Sequence, residues 1–198
     1  MAEKKVKVGV IGVGHMGEFH VQKYKANTGV DLVGVFDVNR DRAREIGKKY
    51  SVNVYDSHSD LLKEISAASL AVTTEGHFDV AKDILSSGVH MLIEKPITYQ
   101  LESAETLIKM AEKKRLIVQV GLSERFNPAV MKLTELLDQP VLIETHRLNK
   151  FTPRGTDVDV VLDLMIHDLD IVLHLVSSEV KEVHSVGMRV ITDKTDIA

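Results

Sequence analysis

The residues able to do chemistry fall in three places. Gly12-Val13-Gly14-His15-Met16-Gly17 is a G-x-G-x-x-G turn, and Asp37 follows twenty residues after its last glycine. Glu94-Lys95-Pro96 forms a second cluster, and Asp163 and His167 stand four apart within VVLDLMIHDLDIVLHL. In the first pattern Gly12 permits a tight turn, Gly14 lets backbone approach a pyrophosphate, and Gly17 lets helix and strand pack closely. A helix opening at that turn presents unpaired N–H groups and a partial positive charge to phosphates. Asp37 stands where a carboxylate would accept hydrogen bonds from ribose hydroxyls and repel a 2′-phosphate, so NAD is expected rather than NADP. Arg40, three residues on, is the one feature that could accommodate that phosphate. His15 and Met16 inside the turn, Thr73 at a later strand end, and Glu94 with Lys95 complete the candidate cofactor contacts. A site for S-adenosylmethionine is a competing reading, but without a pyrophosphate it leaves Gly17 harder to explain. FAD stays compatible with the turn.

Lys95 follows a strand expected to be central and parallel, and ligands bind outside the carboxyl ends of such strands. Taken alone, a lysine in a loop is a solvated cation. The stretch from 157 to 176 reads as a long helix, apolar over most of its circumference and therefore expected to be buried. Asp159, Asp163, His167, Asp170 and His174 recur in it at steps of four, four, three and four, which places them along one helical face. Charge on a buried helix must meet water, a partner or a ligand. Histidine titrates near neutrality, so Asp163 and His167 are expected to act as an oriented acid–base pair. Ligation of a metal is the alternative; no H-E-x-x-H or E-x-x-H accompanies the stripe, and no metal is expected. His20 and His77 are expected to pack at their helices.

The elements that must carry these residues alternate regularly. Apolar runs ending at Ile11 and near Asp37, and at 52–55, 70–73, 89–94 and 116–121, read as strands. Residues 18–25, 40–50, 60–65, 77–86 and 101–114 read as helices, with Asn39 capping the second. Such alternation implies βαβ units and a doubly wound parallel sheet, an α/β Rossmann domain over 1–122. The pattern then changes: a helix to about 138, a strand-like stretch at 141–149, a polar loop at 150–156, the long helix, and a strand at 180–192. Residues 123–198 are expected to be a partial, α+β second domain. It is small and ends just after a strand, so the chain reads as cut short. An uncovered sheet edge argues against a lone monomer, and a homo-oligomer is expected at full length.

Composition restricts the function classes. The 198 residues carry a net charge of −4 with no clustered basic face, which argues against nucleic acid as a main partner. No apolar run approaches the ~20 residues that span a membrane. Lys4 and Lys5 lead directly into the first strand, leaving no room for a cleavable signal, and there is no cysteine for a disulfide or thiolate site. A cytoplasmic location is expected.

Together, VGVIGVGHMG, GVHMLIEKPIT and VVLDLMIHDLDIVLHL resemble the glucose-fructose oxidoreductase/inositol dehydrogenase/MocA family, across essentially the whole chain. The resemblance implies an NAD-dependent dehydrogenase acting on a sugar hydroxyl. Lys95 would hold the reacting hydroxyl and the cofactor, and His167 would remove the hydroxyl proton with Asp163 in support, while hydride passes to the nicotinamide. ERFNPA, FTPRGTDVDVVLDLMIHDLDIV and the final SEV…VHSVG look like the branch that oxidises the 3-hydroxyl of UDP-N-acetylglucosamine. A free polyol such as inositol is the alternative substrate, and a truncated NAD-binding sensor or partner subunit the non-enzymatic alternative. Arg147, Lys150 and Arg154, with Arg125 of ERFNPA, are candidate cations for an anionic diphosphate. Two departures stand out. Thr73-Thr74-Glu75 occupies the place of the family's T-P-N, and family members continue well past residue 198 to complete a broad sheet.

Overall fold

The computed structural model describes residues 5–148, 150 and 158–198. They form two compact units, divided between Gly121 and Leu122. Unit 1 is a six-stranded, wholly parallel sheet in the order β3-β2-β1-β4-β5-β6. The strands are β1 (Val6–Ile11), β2 (Val30–Phe36), β3 (Asn53–Val54), β4 (Ala67–Leu70), β5 (His90–Ile93) and β6 (Val118–Val120). Helices α1 (His15–Ala26), α2 (Arg40–Tyr50), α3 (His58–Leu62), α4 (Thr74–Ser86) and α5 (Leu101–Lys114) connect them. Strand order reverses between β1 and β4, which opens a crevice at their carboxyl ends.

Alternation along β1 feeds two cores. Val10 packs with Val13, Val21, Val35, Ala43 and Ile46 on the side of α1 and α2. Its neighbour Ile11 packs with Leu61, Leu70, Ile84, Leu85, Ile93 and Leu107 on the side of α3, α4 and α5. Helix starts follow local chemistry. The Asn39 side chain accepts from the Arg42 amide at 3.1 Å, and Ser57 accepts from the Asp60 amide at 3.1 Å, so α3 begins before the expected residue 60. The expected strand at 70–73 is corrected: β4 ends at Leu70, and Thr73 is already the cap of α4.

Unit 2 departs further from expectation. A 3₁₀ turn (Ser123–Phe126) leads to α6 (Pro128–Leu136), capped by the Asn127 side chain on the Ala129 amide at 3.0 Å, with proline at the first helical position. The helix at 157–176 is described from Val160. It opens with a π turn, Val161–Met165, and continues as α7 (Ile166–Leu175). It is not buried: Leu169 and Leu173 are 47% and 57% exposed, and Val158 is the one buried apolar residue among the described residues of this unit. The strands expected at 141–149 and 180–192 do not form among the described residues, where a single bridge, Met188 to Ile197, is found. A strand needs a neighbour for its ladder and a cover for its apolar face. Here Val141 and Leu142 lie open, as do Val183 and Val186.

Residues 190–192 instead curl round Asp196, whose carboxylate accepts the Val190, Ile191 and Thr192 amides at 2.7, 2.7 and 2.9 Å and the Thr192 hydroxyl at 2.7 Å. The Ile191 amide first, then the Thr192 hydroxyl, hold that carboxyl well below the usual carboxylate range.

Candidate functional site

The glycine turn sits at the carboxyl end of β1, facing the end of β4. Gly12 has φ +83°, and a Cβ there would lie 2.7 Å from the backbone of Ala71 and Val72. A Cβ on Gly17 would overlap the Gly12 carbonyl oxygen, whereas one on Gly14 would stand in open space. Gly12 and Gly17 therefore serve the close packing of the turn. Gly14 leaves its outer side open beside the first amides of α1, a helix start with no side-chain cap. That is the cradle a diphosphate needs. His15 and Met16 are exposed on the same first turn, His15 edge-on to Phe19 with ring centroids 4.9 Å apart.

Asp37 ends β2 beside this cradle. One oxygen accepts the Val13 amide at 2.7 Å and the other the Asn39 amide at 2.8 Å. An ionised carboxylate has about four acceptor positions, so these two bonds orient it and leave capacity for ribose hydroxyls. Arg40 turns away, onto Tyr55 and Asp56. The residues present thus fit a dinucleotide.

Two arrangements here carry no local signal in the sequence. Arg42 on α2 donates from Nε to the Val13 carbonyl at 2.9 Å, bracing the turn, and from Nη2 to Glu18 at 2.5 Å. Glu18 also accepts from Lys49 at 2.7 Å and the Tyr50 hydroxyl at 2.8 Å. Lys49, then Tyr50 and Arg42, pull the Glu18 pKa down to about 2. Separately, Nε2 of His20 on α1 lies 2.8 Å from Glu94, with both side chains largely buried. The expected cofactor contact Glu94 is therefore engaged with α1, and its carboxylate lies against Gly121, where a Cβ would meet it at 3.0 Å.

Lys95 follows Glu94 directly, half-buried, and its peptide bond to Pro96 is cis. His77 ties this turn to the one after β4. Its ring is 1% exposed, with Nδ1 2.8 Å from the Pro96 carbonyl and Nε2 3.2 Å from the Val72 carbonyl. Whichever nitrogen carries the proton donates to one of the two. The clue in the sequence was only its position at a helix start. Thr73 is exposed, and Glu75 stands in the first turn of α4, where a negative charge complements the helix dipole.

In unit 2, the polar residues of the long helix are spread over its π turn and α7. Asp163 lies within the π turn and His167 just after it. The polar residues also divide by role. Asp159 caps the Leu162 amide at 3.0 Å, and Asp170 accepts both Nε and Nη2 of Arg125. Arg147 grips Asp168 through the same two nitrogens, each at 2.8 Å. Nδ1 of His167 is shut off from solvent. Arg125 and Arg147, expected to meet a diphosphate, thus have one edge of each guanidinium committed to a carboxylate of α7. Lys150 is exposed, and Arg154 lies outside the described residues. Among the described residues no three His, Asp or Glu side chains are grouped to hold a metal ion. None of their helices is long and apolar enough to cross a membrane.

The family model described as "Oxidoreductase family, NAD-binding Rossmann fold" matches residues 6–122. The chain belongs to the Gfo/Idh/MocA family. It is 43% identical over 194 residues to UDP-N-acetylglucosamine 3-dehydrogenase of Acidithiobacillus ferrooxidans, a match covering 98% of this chain and 61% of that protein. A solved structure of that enzyme superposes with a TM-score of 0.91, covering 97% of this chain and 61% of the other. Myo-inositol 2-dehydrogenase of Thermotoga maritima is 25% identical over 194 residues, covering 92% of this chain and 58% of that protein. The chain therefore spans about three fifths of the length of these curated relatives.

Proposed function

We propose that this chain serves an NAD-dependent oxidation of a secondary sugar hydroxyl, the 3-hydroxyl of UDP-N-acetylglucosamine. The observation that carries the cofactor reading is the open side of Gly14 at an uncapped helix start, next to an Asp37 oriented for ribose. The substrate reading is supported by the 43% identity to a dehydrogenase of that nucleotide sugar. NAD, when bound, supplies the hydride acceptor. Residues 1–122 are assigned to the cofactor and 123–198 to part of the substrate side. The α1 amides take the diphosphate, and Asp37 takes the ribose hydroxyls. Lys95 steadies the reacting hydroxyl, His167 accepts its proton, and Asp163 supports the imidazolium that results. Lys150 and Arg154 are assigned to the sugar's diphosphate. Arg125 and Arg147 act through the carboxylates of α7 that they hold.

The test is NADH formation by the purified chain with UDP-N-acetylglucosamine and, separately, with myo-inositol. Turnover with the nucleotide sugar supports the proposal, and turnover with inositol alone rejects it. A second reading, NAD binding without turnover as a sensor or partner subunit, is favoured by the thin packing of unit 2, where Val158 is the one buried apolar residue described. Tight NAD binding with no activity on any sugar would select it.

A further inference from the structure

Asp37 and Arg40 stand three residues apart where β2 passes into α2, yet their side chains serve different neighbours. Asp37 holds the glycine turn. Arg40 reaches to the loop after β3, the strand next to β2 in the sheet. Its Nη1 donates to the Tyr55 carbonyl at 3.2 Å and to the Asp56 carboxylate at 2.7 Å, and its Nη2 donates to the Asp56 carbonyl at 2.6 Å. Two consecutive residues thus engage both terminal nitrogens. The pair contributes little to stability, because the Arg40 and Asp56 side chains are 43% and 96% exposed. An arginine this close to the ribose-binding acid is otherwise well suited to a 2′-phosphate, which its planar fork matches.

We propose that Asp56 sets the coenzyme preference: by holding Arg40 on the loop at 55–56, it withholds the guanidinium from the 2′-position, so that NAD is selected over NADP. This deepens the cofactor reading given above and rests on it. Discrimination then has two parts, repulsion of a 2′-phosphate by Asp37 and removal of the cation that would offset that repulsion. Asp56 touches no part of the cradle, so its loss leaves the sites for diphosphate and ribose intact.

The experiment titrates NADH and NADPH separately into the full chain, following nucleotide fluorescence. The proteins are wild type, Asp56→Ala, Asp56→Asn, Arg40→Ala and the Arg40→Ala/Asp56→Ala double variant, with circular dichroism confirming that each is folded. Both Asp56 variants are expected to tighten NADPH about three- to fivefold, the most that release of a solvent-exposed ion pair supplies, with NADH within about twofold of wild type. The gain is expected to vanish in the double variant, and Arg40→Ala alone is expected not to weaken NADPH. Unchanged NADPH affinity in the Asp56 variants, with NADH binding intact, overturns the inference and leaves the cofactor reading standing. So does a gain that survives in the double variant, or a loss of NADPH binding in Arg40→Ala. Absence of any dinucleotide binding by wild type overturns both.

Discussion

Replacing Glu18 by glutamine tests how the cofactor turn is held. Glu18 is 17% exposed and accepts from Lys49, Tyr50 and Arg42, and Arg42 in turn holds the Val13 carbonyl. Its pKa falls from 4.5 to about 2 on folding. Every tenfold change in proton affinity corresponds to about 1.4 kcal/mol, so linkage sets an upper limit of about 3 kcal/mol. Solvent screening at this partly exposed network reduces the expected loss in Glu18→Gln to about 1–2 kcal/mol at neutral pH. Because the folded pKa is depressed, the contribution is complete above the unfolded value and lost as pH falls toward the folded one. About two fifths of it is gone by pH ~3.5. The assay is urea unfolding of wild type and variant between pH ~3.5 and ~7. Two stability curves that stay parallel across that window would refute the reasoning, since the difference must narrow on the acid side.

Gly14→Ala is expected to keep its thermal stability, because the new methyl meets open space, while NADH affinity falls at least about tenfold as that space is taken from the diphosphate. Gly17→Ala is expected to lose both, since its Cβ overlaps the Gly12 carbonyl; calorimetry and NADH fluorescence separate the two variants. His77→Leu leaves a buried carbonyl without its donor and is expected to cost about 1–3 kcal/mol in denaturant unfolding. An unchanged midpoint would show that the ring does not bind the turns after β4 and β5 together.

Local rules made much of unit 1 legible. Gly12 announced a turn because it adopts a left-handed φ that other residues rarely take, and Asn39 announced a helix start by capping it. The alternation of Val10 and Ile11 announced a strand covered on both sides. Unit 2 misled for the same reason. Val141, Val183 and Val186 have strand character, but β structure is a pairing, and no described neighbour supplies it. The π turn at Val161–Met165 escaped a reading that assumed 3.6 residues per turn.

The sequence by itself determined the cofactor turn, the acid that follows it and the alternation of strands and helices, because each depends on residues close in the chain. Only the tertiary structure decided what those residues do for one another. It joined Asp37 to Val13, His20 to Glu94, His77 to Pro96 and Arg40 to Asp56. These partners lie 16 to 74 positions apart, and their meeting depends on the order β3-β2-β1-β4-β5-β6. That order is set by packing helices on both faces of one twisted sheet, a choice that no short window of residues encodes.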